Sequence, residues 1–179
     1  LPTLLDAFAP VSRKRPDLCA RIVSPAGEVG ELVRKILNRF PDFKGKVDIF
    51  SNEKVANGCA VLTSSGTMSL ACALAGIPGA IVYRAHPMTY LLGRFLVKVP
   101  YLGMANLLLP KSPPYPEFIQ GTARADALAK RLEFCLDDNE EAEKAMESST
   151  SLRRLLSQPA DVSAADWVTQ EGGFEGKSS

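Results

Sequence analysis

The sequence predicts an α/β protein: a Rossmann-like parallel sheet with helices on both faces, followed by a helical C-terminal segment. Three observations lead there. Short apolar runs with strand character alternate with segments whose apolar residues recur at helical spacing, the pattern of right-handed βαβ units. The run VANGCAVLTSSGTMSLACALAGIPGAIVY, residues 55–83, contains no charged side chain. Such a run suits strands buried on both faces of a parallel sheet together with one packed helix. After residue 121 the pattern turns helical.

Each element follows from its spacing. Leu4, Leu5, Phe8 and Val11 share a helical face within 2–15, and Pro16 stops that helix. CARIVS (19–24) reads as a short strand, and 27–39 places Val29, Leu32, Val33, Ile36 and Leu37 on one helical stripe. KVDIF (46–50) is strand-like, a short helix is expected at 52–57, and CAVLT (59–63) is a continuous apolar strand. A helix near 67–75, a strand AIVYR (80–84) and a helix starting at Pro87 come next. ANLLLPKSPPYPEFIQ is proline-rich and reads as a stiff loop. Ala127, Leu128, Arg131, Leu132 and Cys135 mark one late helix, and 140–156 forms a charged, more exposed one. Residues 1–157 are read as one nucleotide-binding-type domain and 158–179 as a C-terminal helix and flexible tail, since EGGFEGKSS is Gly- and Ser-rich.

Composition excludes several classes. The uncharged run is long enough to span a bilayer, but Ser64, Ser65, Gly66 and Thr67 interrupt it and Pro78 would break the helix. A net charge of +1 argues against nucleic acid, which calls for a basic surplus. Cys19, Cys59, Cys72 and Cys135 are scattered, form no CxxC pair and are joined by one histidine, so neither zinc nor a disulfide framework is indicated. Reduced thiols of a cytosolic protein are the simpler account. The chain carries no signal-peptide pattern and is expected to be a piece of a longer protein.

The chemistry is expected at the turn after the third strand. Open α/β sheets bind ligands at the carboxyl ends of their strands. TSSGT follows CAVLT and opens a helix whose first N–H groups lack partners and favour an anion. Gly66 permits close backbone approach, and Ser64, Ser65 and Thr67 offer hydroxyls, so a phosphate would fit. Ser65 or Thr67 serving as an ordinary helix cap is the competing reading. Arg84 leaves the next strand at the same rim, where it either pairs with phosphate or sits on the surface. His86, before Pro87, is either a cap or exposed residue or an acid–base group. In HPMTYLLGRFLVKVPYLGMANLLL, Met88, Leu91, Leu92, Phe95, Leu96 and Val99 share a face interleaved with Arg94 and Lys98, with Tyr90 and Tyr101 near. That face packs in the core, or meets a bilayer with its basic residues on anionic head groups, or does both. On the proline-rich loop, Asn106, Glu117 and Gln120 are the hydrogen-bonding candidates.

SSGTMSLACALAGIPGAIVYRAHPMTYLLGRFLVKVPYLGMANLLL, with PEFIQ beyond it, resembles the C-terminal half of lipid-A-disaccharide synthases over about residues 59–137. The linked order of these motifs carries the resemblance. It implies the C-terminal half of a GT-B glycosyltransferase, whose donor UDP-2,3-diacylglucosamine gives its sugar, with inversion, to 2,3-diacylglucosamine 1-phosphate and releases UDP. It implies action at the cytoplasmic face of the inner membrane, peripherally bound, with neither metal nor cofactor. Ser65, Gly66 and Thr67 would meet the donor diphosphate, with Ser64 beside them. Arg84 and Asn106 would line the cleft, and Glu117 and Gln120 would flank it. Met88, Tyr90, Arg94 and Lys98 are the lipid-facing candidates, and Lys98 and Tyr101 also fall on matched positions. No catalytic residue is expected in this chain: the acceptor-binding N-terminal domain, with its general base, and an LPGSR-type loop lie outside it.

Two departures bear on function. Ala71 stands where the family carries a glutamate, a residue suited to hold ribose hydroxyls, and Ala105 stands where the family usually has proline. Losing a charge-assisted bond of that kind weakens binding by about 1.5–3 kcal/mol, or about one to two powers of ten. Another GT-B transferase with a different UDP-sugar, or a degenerate domain kept for membrane or protein interaction, are the alternatives.

Overall fold

A computed structural model describes residues 1–50, 58–64, 66–84 and 100–159. Helix α1 (Pro2–Lys14) leads into strand β1 (Ala20–Val23), then helix α2 (Glu28–Leu37) and strand β2 (Val47–Phe50). Strand β3 (Val61–Thr63), helix α3 (Thr67–Leu74) and strand β4 (Gly79–Tyr83) follow. Helix α4 (Met104–Leu108), strand β5 (Glu117–Ile119), helix α5 (Ala125–Asp137) and helix α6 (Asn139–Leu156) complete the described chain. The expected helices at 52–57 and from Pro87 lie outside the described residues.

All strand pairs are parallel. Among the described residues the strands form two parallel sheets, β1–β2 and β3–β4–β5, flanked by helices as the sequence predicts for a Rossmann-like α/β fold. Helix α1 joins them by packing on both. Its Leu5 and Phe8 meet Ala20, Ile22 and Val47 of the first sheet, while Ala7 and Val11 meet Leu62, Val82 and Phe118 of the second. The period-2 alternation of a strand then explains the burial of β4. Val82 faces α1 and α5, and Ile81 faces the opposite layer, where Cys72 and Ala73 of α3, Ala105 of α4 and Leu152 of α6 pack around it. Helices therefore cover both faces of the three-stranded sheet. This is why residues 59–83 lack charge.

Two local readings need correction. The proline-rich stretch is not a plain loop, because it contains α4 and ends in β5. Pro116 lacks a donor but its carbonyl accepts the Ile81 N–H at 3.0 Å, so a proline-flanked segment still joins the edge of the sheet. The stripe on α2 is only partly internal: Ile36 and Leu37 pack with Phe43 and Val47, whereas Val29 and Leu32 are exposed. Cys19 and Cys59 are exposed free thiols, and Cys72 and Cys135 are buried ones.

Candidate functional site

The site residues are positioned by the register of three strands. Thr63 aligns with Ile81, Ile81 with Glu117, and Tyr83 with Ile119. Ser64, Arg84 and Gln120 each follow the last residue of their strand, so all three lie at the carboxyl rim of one sheet. Ser64 and Arg84 are exposed and Gln120 is half-buried. Arg84 Nη1 donates to Thr3 Oγ1 at 2.9 Å, which ties the rim to the start of α1.

Above β3 the backbone turns at Gly66, whose φ of +106° is a conformation that a side-chain-bearing residue rarely adopts. That turn starts α3 with Gly66 at its N-cap position, and among the described residues no side-chain hydrogen bond caps the helix. Thr67 is the first helical residue rather than the cap, so the capping role expected for it is not what the turn uses. Instead Ser69, one of the most buried residues, folds back to donate from Oγ to the Gly66 carbonyl at 2.7 Å. The start of α3 thus lies beside exposed Ser64 and Thr67, and a helix start leaves its first N–H groups without intrahelical partners. Ser65 lies outside the described residues, as do His86, Met88, Tyr90, Arg94 and Lys98.

Asn106 and Glu117 form a different kind of structure. Asn106 is fully buried; its Oδ1 accepts the Tyr115 N–H at 3.0 Å, and its Nδ2 donates to the Tyr115 carbonyl at 2.8 Å and to Glu117 Oε1 at 2.9 Å. Both donor hydrogens of that amide are in use. The Glu117 carboxylate also accepts the N–H of Leu102 at 2.9 Å and of Gly103 at 2.9 Å, at the start of α4. A Cβ at Gly103 would lie 2.0 Å from Ile81 Cδ1, so any larger residue there requires that buried side chain to shift. The pair thus clamps the segment entering α4 against the sheet. Sequence reasoning missed Tyr115, which anchors the clamp: its buried hydroxyl donates to the Ile77 carbonyl at 2.8 Å, and burial drives its pKa far above the ordinary range. The one available signal was a tyrosine between two prolines. Tyr101 Oη donates to the Pro110 carbonyl at 3.4 Å.

A cavity of about 430 Å³ lies elsewhere, lined by Pro78, Pro116, Arg131, Glu141 and Lys144. Pro78 and Pro116 precede β4 and β5, so this cavity sits at the amino ends of the strands, away from the rim where open α/β sheets bind ligands. Arg131 is already bonded to Glu141 and to the Gly79 carbonyl, which leaves the cavity without a free cation from that residue. Among the described residues no group of three or more His, Cys, Asp or Glu side chains could hold a metal, and no helix is long and apolar enough to cross a membrane.

Comparison with known proteins points to one family. The family model described as lipid-A-disaccharide synthetase matches residues 6–170. The chain is similar to the lipid-A-disaccharide synthase of Pseudomonas paraeruginosa, 34% identical over 169 residues, covering 93% of this chain and 43% of that protein. The Gluconobacter oxydans enzyme of the same name is 32% identical over 162 residues, covering 84% of this chain and 37% of the relative. For the Aquifex aeolicus enzyme the match is 33% over 149 residues, covering 79% and 41%. The chain spans about two-fifths of the length of these relatives.

Proposed function

We propose, because this chain belongs to the lipid-A-disaccharide synthetase family, that its carboxyl rim is the sugar-nucleotide donor site of a glycosyltransferase of lipid A biosynthesis. The donor is UDP-2,3-diacylglucosamine and the acceptor 2,3-diacylglucosamine 1-phosphate. An acceptor hydroxyl attacks the anomeric carbon, the bond from that carbon to the UDP oxygen breaks with inversion, and UDP leaves with the electron pair. The proton goes to a general base on the acceptor-binding domain, outside this chain. The protein works peripherally at the cytoplasmic membrane face, with Met88, Tyr90, Arg94 and Lys98 as its lipid-facing residues.

The observation that carries the reading is the meeting of Ser64, Gly66, Thr67 and Arg84 at one rim, beside a helix start that no side chain caps among the described residues. Charge that develops on the leaving diphosphate is stabilised there by backbone N–H groups, by the hydroxyls including Ser65, and by the Arg84 guanidinium. Asn106 and Glu117 serve the same site by holding the segment that enters α4, and Gln120 flanks it on the third strand. A second reading, a domain that keeps the fold but not donor binding, is favoured by Ala71 alone.

Titration of the full-length protein with UDP by calorimetry tests the proposal. Saturable binding is expected, weakened about ten- to a hundredfold in Arg84→Ala, the loss of a charge-assisted bond, and weakened also in Gly66→Val. Heat of dilution only, from a folded sample, refutes it.

A further inference from the structure

Gln120 carries the one non-glycine backbone in the left-handed region among the described residues, with φ +49°. For an L residue that region is disfavoured by roughly five- to thirtyfold in population, so something must hold it there. The local frame does. Thr122 Oγ1 accepts the Ile119 N–H at 2.8 Å and donates to the Ile119 carbonyl at 2.9 Å, and the Ala123 N–H closes onto the Gln120 carbonyl at 3.1 Å. These bonds end β5 in a 3-10 turn at Gln120–Thr122 whose first residue is bent to positive φ.

A glycine was at hand. Gly121 is the next residue, has open space around it, and does not occupy the left-handed region. The chain therefore places its strain on the residue with a long carboxamide and not on the adjacent residue that would bear it freely. A local rule broken beside a relaxed alternative marks a residue retained for what its side chain does. Gln120 is also where β5 leaves the sheet, next in register to Arg84 after the Tyr83–Ile119 pair.

We propose that the left-handed backbone of Gln120 is a positioning device of the donor site, aiming its carboxamide at the bound nucleotide at the expense of fold stability. This rests on the donor-site reading above. Gln120→Asn keeps the amide one methylene shorter and suits the left-handed region, and Gln120→Gly removes both side chain and strain. In the full-length protein, both variants are expected to keep or raise the urea unfolding midpoint while the dissociation constant for UDP rises at least tenfold. A role confined to structure would move the midpoint and leave affinity alone. If both variants bind UDP as the wild type does while Arg84→Ala binds weakly, this inference fails and the donor-site reading stands. A fall in the midpoint of both variants also overturns it, because the backbone is then not strained. A wild type that binds no UDP removes both readings together.

Discussion

Replacing Asn106 should be among the most damaging changes available in this chain, and the reason is arithmetic on three hydrogen bonds. Asn106 is 0% exposed, and its amide pairs with both backbone groups of Tyr115 and with Glu117. Asn106→Ala leaves a buried N–H and a buried C=O of Tyr115 unpaired, at about 1–3 kcal/mol each, and removes a donor from a carboxylate as well. Partial relaxation and entry of water reduce the sum, so about 3–5 kcal/mol is expected, a large share of the roughly 5–15 kcal/mol that holds a domain folded. Urea unfolding followed by circular dichroism reads this directly. With a slope of about 2 kcal/mol/M, the midpoint should fall by about 2 M. Asn106→Asp separates hydrogen bonding from volume: the shape is kept, yet at neutral pH a second carboxylate faces Glu117 and the donor to the Tyr115 carbonyl is gone. It should destabilise at least as much as alanine and recover partly as pH falls and the new carboxyl protonates. A midpoint shift equivalent to less than about 1 kcal/mol in Asn106→Ala would refute the claim that this amide organises the segment between α4 and β5.

Two further outcomes follow from the fold. Gly79→Ala should prevent β3 and β4 from pairing normally, since its Cβ would lie 2.0 Å from the Val61 carbonyl oxygen, a backbone atom that cannot swing aside. A loss of more than about 3 kcal/mol is expected by overpacking and lost ladder bonds, read as soluble yield or urea midpoint. Stability should also fall at alkaline pH through Cys135, whose thiol is raised to about 11 chiefly by burial, with Arg131 opposing. The folded state keeps its proton where the unfolded thiol, near 9, has lost it, so stability is full below pH 9 and declines between about 9 and 11. Midpoints measured from pH 8 to 11 should drop less steeply in Cys135→Ala.

Most elements were legible in the sequence because their apolar residues are repeated. Leu5, Phe8 and Val11 fix α1, the uncharged run fixes β3, α3 and β4, and Leu128 with Cys135 fixes α5. Strand β5 and helix α4 were not legible. With three and five residues they are too short for a period to emerge, and the prolines around them outweigh what is left. The rim residues Ser64, Gly66, Thr67 and Arg84 were found from the rule that ligands bind at the carboxyl ends of strands, whereas Gln120, at the end of a strand the sequence did not reveal, was chosen only as a polar residue on the proline-rich loop. Two candidates beside them, Asn106 and Glu117, were chosen for their polar chemistry, and chemistry does not say which way a side chain turns.

What the sequence determined by itself is the alternation of strands and helices, the burial of the central run, the rim on which Ser64 and Arg84 lie, and the family. Those depend on local spacing and motif order, both written along the chain. What only the tertiary structure decided is where the hydrogen bonds go. Asn106 and Glu117 turn inward because Tyr115 and the start of α4 present backbone groups that must be paired once buried, and Gln120 is bent to positive φ because Thr122 closes on Ile119. Such pairings join groups that spacing rules do not connect, and they exist only when packing has already excluded water from both partners.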